Sequence, residues 1–374
     1  MNICIIGGGH LGTTIAGDLA YHFPEYNISL LTSKPTIWDG IIKVNDIELN
    51  NTYEGRIKTI SSSPIGTIDS SDIVFITVPS FMVEKTLSQI DEYLKPGCYV
   101  GVIPGSGGCE FYWSKMKSKN TCTFFGLGRV PYTCKYKVYG KETNLKSKKK
   151  QLLAAAIPCD KSKEVCSLME HLFRIPCIEA PNYLNITLTP TNPVLHTSRT
   201  YGIFSKKEKG DIFNQKLKFY ADWTDDDSRM LIGVDNELQK LCRALNKMDL
   251  SEVISLREYY ESSTPEQLTQ KIHSIETFKS VYAPLLPHDN GFFPDENSRM
   301  FIEDFPFGLC IIKGFCEIAG IDTPYIDTLI KWYEKYKNVE YFTEKGYCGK
   351  DLIDTGCPQN FGIDSVDKIY NFYL

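Results

Sequence analysis

No stretch of about 18 uninterrupted apolar residues occurs in this chain, which excludes a membrane-spanning helix. There is no excess of positive charge either: Lys and Arg total 41 against 46 Asp and Glu, giving a net charge of −5 and a pI near 5.8. A dedicated nucleic-acid binder carries a basic field, so the composition argues against that class. The 13 cysteines never stand as C-x-x-C and show no metal-ligand spacing; an odd, scattered set reads as buried free thiols in a reducing compartment. Internal repeats and low-complexity tracts are missing. The first twelve residues are apolar enough to imitate an export signal, but they lack a basic start and are broken by Gly7-Gly8-Gly9-His10, so the expectation is a cytoplasmic protein.

What is present is enough for two cores. At 374 residues the chain exceeds one ordinary domain, and 42% hydrophobic with 23% charged residues marks a folded, soluble protein. Residues 1–182 alternate short β-rich runs (2–6, 28–32, 72–78, 98–103, 122–127, 152–157 and a run near Cys177) with helical stretches. That alternation predicts an α/β domain with a doubly wound, mostly parallel sheet. Residues 146–150 hold four lysines in five positions and read as a solvated connector. From 183 to 374 strand-like runs disappear and the pattern predicts an all-α domain. Leu231, Val234, Leu238, Leu241 and Leu245 share one helical face, with Thr224 as the N-cap and Asp225, Asp226 and Asp227 at the positive end of the helix dipole. Three consecutive carboxylates suggest a metal, but they project in different directions on a helix, so capping is the better reading. Thr264-Pro265-Glu266-Gln267 forms a capping box, and Thr323-Pro324 opens a further helix.

Gly7-Gly8-Gly9-His10-Leu11-Gly12 fits G-x-G-x-x-G directly after a strand and at the start of a helix, the context of a Rossmann dinucleotide site. Gly7 permits the turn, Gly9 admits a pyrophosphate and Gly12 lets helix pack on strand, while His10 and Leu11 offer first-turn N–H groups to the phosphates. A flavin site or a purely structural glycine turn stays open as the bland reading. Pro79, after the strand 72–78, joins the expected cofactor contacts. An NAD site places a carboxylate at the end of the second strand. Here that stretch is Leu31-Thr32-Ser33-Lys34, and hydroxyls with a lysine suit a 2′-phosphate; NADP is therefore expected over NAD.

The chemistry is expected in the helical half, where that half meets the first. His196 ends the run Thr189-Pro190-Thr191-Asn192-Pro193-Val194-Leu195-His196, and Arg299 and Asp304 stand together at a helix start. Each has an ordinary alternative: a structural histidine, and a solvent-facing ion pair of little energetic weight. Glu303 is expected on the surface, and His288-Asp289-Asn290 as a plain turn, with a substrate loop as the alternative.

These elements resemble the octopine/nopaline (opine) dehydrogenase family over essentially the full length. The glycine loop GGGHLG, the N-P-x-x-H element (Asn192, Pro193, His196) and the Arg-x4-Asp element (Arg299, Asp304) carry the resemblance. Pro131-Tyr132-Thr133-Cys134-Lys135 is similar to a family element that ends in Cys-Arg, with lysine as a departure at 135. The resemblance implies NAD(P)H-dependent condensation of an amino acid with an α-keto acid, the imine being reduced to a secondary amine. It assigns His196 as general acid/base, Asp304 as its orienting carboxylate, Arg299 as the clamp on the keto-acid carboxylate, and Asn192 and Cys134 as substrate contacts. A monomer or homodimer working on small molecules is implied. Two alternatives are a simple 2-keto acid reductase of the ketopantoate or glycerol-3-phosphate type, and a non-catalytic nicotinamide sensor.

Overall fold

A computed structural model describes all residues, 1–374. They form two units, Met1–Thr187 and Leu188–Leu374; the sequence pattern put the division between 182 and 183.

The first unit contains strands β1 (Asn2–Ile6), β2 (Asn27–Leu31), β3 (Ile41–Asp46), β4 (Asn51–Arg56), β5 (Thr59–Ser61), β6 (Ile73–Ile76), β7 (Tyr99–Val102), β8 (Thr123–Leu127), β9 (Tyr132–Val138), β10 (Glu142–Lys148), β11 (Leu152–Ile157) and β12 (Cys177–Glu179). Eight of them make one sheet in the order β12-β11-β8-β7-β6-β1-β2-β5. Every neighbouring pair is parallel except β11 with β8. Strands buried on both faces must be apolar throughout, and Ile3, Cys4 and Ile5 of β1 and Val74, Phe75 and Ile76 of β6 are fully buried. Ile3 stands beside Ile28 of β2 on one side and Ile73 of β6 on the other. The chain leaves β1 for β2 on one side and later returns to β6 on the other. The carboxyl end of β1 is therefore the switch point where an open parallel sheet binds a nucleotide.

A second sheet, β4-β3-β10-β9, was not legible in the sequence. It corrects the reading of residues 146–150: Lys146 and Lys148 belong to β10, and the half-buried Lys148 ammonium lies 5.6 Å from the centre of the Tyr132 ring. Thr143 and Leu145 point inward along β10 while Lys146 is exposed, so charge density alone concealed a strand. This sheet covers the helix His10–His22, and the approach is close: a Cβ on Gly55 would lie 2.1 Å from the Gly17 carbonyl oxygen.

Asp18, in the middle of that helix and fully buried, ties the layers together. It accepts from Tyr53 Oη and Tyr132 Oη at 2.6 Å each and pairs with Arg174 at 2.6 Å. Burial pushes its carboxyl up, but the His22 hydrogen bond and the Arg174 and Lys148 charges outweigh it and hold the group below the usual carboxylate range. A depressed folded pKa adds stability above the unfolded value of about 3.9, and that stability is lost as pH falls through the folded value. Asp18→Asn is accordingly expected to cost about 2–3 kcal/mol at neutral pH, with the deficit shrinking on acidification. Denaturant unfolding at pH 7 and pH 2 measures both.

The second unit is built on the helix Asp225–Ala244. Thr224 Oγ1 accepts from the Asp227 N–H at 3.3 Å, and Asp227 Oδ2 accepts from the Thr224 N–H at 2.7 Å, closing the capping box. Leu231, Val234, Leu238, Leu241 and Leu245 are fully buried along one face. Asp227 also pairs with the buried Arg199 at 2.6 Å, so capping and an ion pair account for it. Thr264 with Gln267 caps the helix Pro265–Ser274, and Pro324–Lys337 follows Thr323. The unit is not all-α as expected. β13 (Leu285–His288) and β14 (Gly291–Pro294) form a hairpin whose Phe292 exchanges two 2.9 Å backbone hydrogen bonds with Phe213. Asp289-Asn290 form the turn of this hairpin and His288 ends β13, a short exposed stretch that local apolar periodicity does not announce.

All thirteen cysteines are free, and eight are buried. Cys159 and Cys348 are exposed, in departure from a uniformly buried set. No helix is long and apolar enough to cross a membrane.

Candidate active site

At the end of β1 the chain turns at Gly7, whose φ of +106° suits glycine. A Cβ on Gly12 would lie 1.9 Å from the Gly7 carbonyl oxygen, so only glycine lets the helix start this close to the strand. Nothing stands within 4 Å of a Cβ at Gly9, which leaves that side of the loop open. The helix His10–His22 has no acid in its first turn and no side-chain N-cap, so its N-terminus keeps the positive potential that phosphate requires. These features fit a dinucleotide.

The second sheet supports this loop. His10 Nδ1 accepts from the Tyr136 N–H at 3.2 Å and the two rings lie 4.1 Å apart, which leaves the imidazole proton on Nε2. Cys134 stands on β9, its thiol donating to the His10 carbonyl at 3.5 Å, and burial pushes the thiol pKa up. Leu11 is half-buried in the first turn. Thr32 is buried beyond β2, where its Oγ1 accepts from the Lys34 N–H at 3.4 Å; Ser33 and Lys34 are exposed. Pro79 follows β6, beyond Thr77, whose hydroxyl donates to the Ile6 carbonyl at 2.9 Å. Trp38 and Tyr139, absent from the sequence reading, both come within 2.7 Å of where a Gly8 Cβ would stand.

In the second unit His196 closes a π-helical turn, Thr191–His196, that runs on into the helix Thr197–Phe204. Asp304 immediately precedes another π-helical turn, Phe305–Leu309. Such turns widen the backbone and recur at functional sites. Pro193 of the first turn packs on Gly308 of the second, where a Cβ would lie 3.0 Å from the proline Cγ. The N-P-x-x-H spacing thus places its proline at the junction of the two turns and its histidine beside the carboxylate.

His196 Nδ1 lies 2.8 Å from Asp304 Oδ2, and Nε2 lies 3.0 Å from Tyr220 Oη. The Phe219 ring stands edge-on to the imidazole at 5.6 Å. The His196 side chain is 17% accessible and that of Asp304 7%. Burial pushes the Asp304 carboxyl above the ordinary carboxylate range and Glu303 adds to this, while the His196 and Arg299 charges pull it down. A carboxylate at Nδ1 accepts a hydrogen bond from the N–H there and leaves the neutral ring with its lone pair on Nε2, the disposition a general base needs. Tyr220 was missed because 24 residues separate it from His196 and no periodicity links the two.

Arg299 is brought to the same segment, but its partner is Glu303: Arg299 Nε donates to the Glu303 carboxylate. Glu303 was expected on the surface and is 6% accessible. The helix Arg299–Ile302 lasts four residues, and Glu303 leaves it with φ −122° and ψ −55°, so residues 303 and 304 both turn inward. The Arg299 side chain remains 61% accessible. Asn192 is exposed one residue before Pro193.

Comparison with known proteins gives a consistent result. A family model described as NAD/NADP octopine/nopaline dehydrogenase, alpha-helical domain, matches residues 179–337, and one for ketopantoate reductase PanE/ApbA matches residues 3–104. Tauropine dehydrogenase of Arabella iricolor is 28% identical, covering 98% of this chain and 99% of its own. Opine dehydrogenase of Haliotis discus hannai is also 28% identical, over 99% and 98%. Octopine dehydrogenase solved with NADH and L-arginine shares the fold with a TM-score of 0.86 at 23% identity, covering 99% of this chain and 97% of that one. Its complex with NADH and pyruvate gives 0.85, over 99% and 98%. End-to-end likeness of this kind, with a helical-domain match that spans the paired His196 and Asp304, makes this chain similar to opine dehydrogenases along its whole length.

Proposed function

We propose that this enzyme reductively condenses the amino group of an amino acid with an α-keto acid to give an N-(carboxyalkyl)amino acid, in a reversible reaction. The observation that carries the reading is the imidazole of His196, held at Nδ1 by a buried carboxylate with its basic nitrogen turned away from it. Bound reduced nicotinamide supplies the hydride that converts the C=N bond to a secondary amine. The chain's own residues handle protons and charge. His196 Nε2 takes a proton from the α-ammonium group, freeing the amine to add to the keto carbon. The resulting imidazolium returns that proton to the carbinolamine hydroxyl, which leaves as water, so histidine ends the cycle neutral. Asp304 holds the ring in the required tautomer and stabilises the imidazolium between the two transfers.

Arg299 grips the keto-acid carboxylate: Glu303 takes its Nε, and the terminal nitrogens remain to form a bidentate pair. Asn192 is a polar substrate contact. Cys134 is a substrate contact and not a nucleophile, in keeping with a thiol pKa raised by burial. Gly7, Gly9, His10, Leu11, Gly12 and Pro79 hold the dinucleotide. NADP is the preferred cofactor. What supports this is the lack of a carboxylate in residues 31–34 and the exposed Ser33 and Lys34, which suit a 2′-phosphate.

One assay tests the reading. Pyruvate or 2-oxoglutarate is offered with NADPH, alone and with each of a panel of amino acids. Oxidation is expected to be many-fold faster with a matching pair; equal rates with keto acid alone would favour a simple 2-keto acid reductase. The same assay with NADH is expected to show a higher KM than with NADPH, and a clear NADH advantage overturns the cofactor assignment.

A further inference from the structure

Tyr220 fits neither a simple core residue nor any role assigned so far. Its hydroxyl stands 3.0 Å from the His196 nitrogen that must exchange protons. Burial pushes that hydroxyl well above the usual phenol range, and Tyr260 and Asp304 push it further, so it keeps its proton at neutral pH. The ring has little freedom: it stacks on Phe278 at 3.9 Å and 15° and meets Phe219 edge-on at 4.9 Å.

The backbone that carries it is tethered by a single buried cation. Arg199 donates from Nε to the Phe219 carbonyl at 2.6 Å, and from one terminal nitrogen to the Lys218 and Asp222 carbonyls at 3.3 and 2.7 Å. Its other terminal nitrogen pairs with Asp227 at 2.6 Å. Arg199 lies one turn after His196 on the continuous helical path through Thr197–Phe204. The same path therefore carries the catalytic imidazole and the cation that fixes its phenolic neighbour.

We propose that Tyr220 positions the imidazole of His196 and is the hydroxyl through which its protons pass. When the imidazole is neutral, Tyr220 O–H donates to the Nε2 lone pair. When it is charged, Nε2–H donates to the Tyr220 oxygen. Nε2 has a single lone pair, so the phenolic oxygen takes the substrate's proton as its own O–H proton passes to Nε2, and the reverse on return, while the ring plane and the Asp304 contact stay in place. The charged and titratable groups around His196 are Asp304, Glu303 and Arg299 from the segment before the second π-turn, Tyr220 with Tyr260 behind it, and the Arg199–Asp227 pair behind Phe219. Among these, Asp304 and Tyr220 hydrogen-bond the imidazole directly. This inference rests on the reaction proposed above, in which Nε2 alternates between the two states.

Tyr220→Phe tests it, because phenylalanine keeps the stack on Phe278 and removes only the hydroxyl. A hydrogen bond to a charged donor is stronger than one between neutral groups, so the loss destabilises the imidazolium more than the neutral ring. Loss of the hydroxyl is expected to carry the acidic limb of the kcat/KM profile to lower pH. kcat is expected to drop about 10- to 100-fold, with KM for the keto acid little changed. Imidazole NMR, with the His196 signal assigned from its loss in His196→Asn, reads the titration without turnover. An unmoved or raised titration, or an undiminished kcat, overturns the proposal. If wild-type enzyme fails to couple amine and keto acid while the titration still falls in Tyr220→Phe, the reaction assignment fails and the positioning role stands.

Discussion

His196→Ala is expected to lower turnover about 10²- to 10⁴-fold while NADPH binding persists. The separation follows from where the groups lie: His196 belongs to the second unit, and the glycine loop to the first. Loss of the imidazole removes both proton transfers, from the ammonium and to the departing hydroxyl, and leaves the dinucleotide loop unaltered. Asp304→Asn should come close to this loss without emptying the site. An amide facing Nδ1 can donate where the carboxylate can only accept, which favours the tautomer with the proton on Nε2 and removes the charge opposite the imidazolium. Steady-state rates with a matched amino acid and keto acid, together with NADPH titration by fluorescence, measure both effects. Unchanged turnover in His196→Ala would disprove the acid/base role and favour a nicotinamide-binding protein without this chemistry.

Gly12→Ala should produce the opposite pattern. The new methyl would sit 1.9 Å from the Gly7 carbonyl oxygen, a backbone atom that cannot swing aside as a side chain can. Helix and loop must part, so the first-turn N–H groups move off the phosphates. Nucleotide affinity is expected to fall about 100-fold, equivalent to about 2.7 kcal/mol, and the first unit to lose about 1–3 kcal/mol of stability through overpacking. The His196–Asp304 pair lies outside that unit, so the His196 titration should not change. Isothermal titration with NADPH and NADH, and thermal unfolding, check the two expectations. Wild-type affinity in this variant would show that the loop does not hold the pyrophosphate.

The parts of the fold that could be read in advance are those dictated by local pattern. β1, β6 and β11 appear as short apolar runs because a strand covered on both faces has no polar side to display. The capping boxes at Thr224 and Thr264 are legible because a helix N-terminus leaves donors that a side chain only three residues away can satisfy. By contrast, the β4-β3-β10-β9 sheet pairs segments about a hundred residues apart, and its β10 strand is half lysine on its outer face. Glu303 was misplaced because helical projection was extended one residue beyond the point where the helix ends.

For this protein, sequence alone determined the glycine turn between strand and helix and singled out His196, Arg299 and Asp304 as candidate residues, since each depends on residue type and near-neighbour spacing. Only the tertiary structure decided the partners: that Asp304 rather than solvent meets Nδ1, that Arg299 turns to Glu303, and that Tyr220 stands at Nε2. The reason is physical. A hydrogen bond of about 3 Å between residues tens of positions apart is set by where two π-turns and a tethered loop come to rest, and local pattern holds no record of that distance.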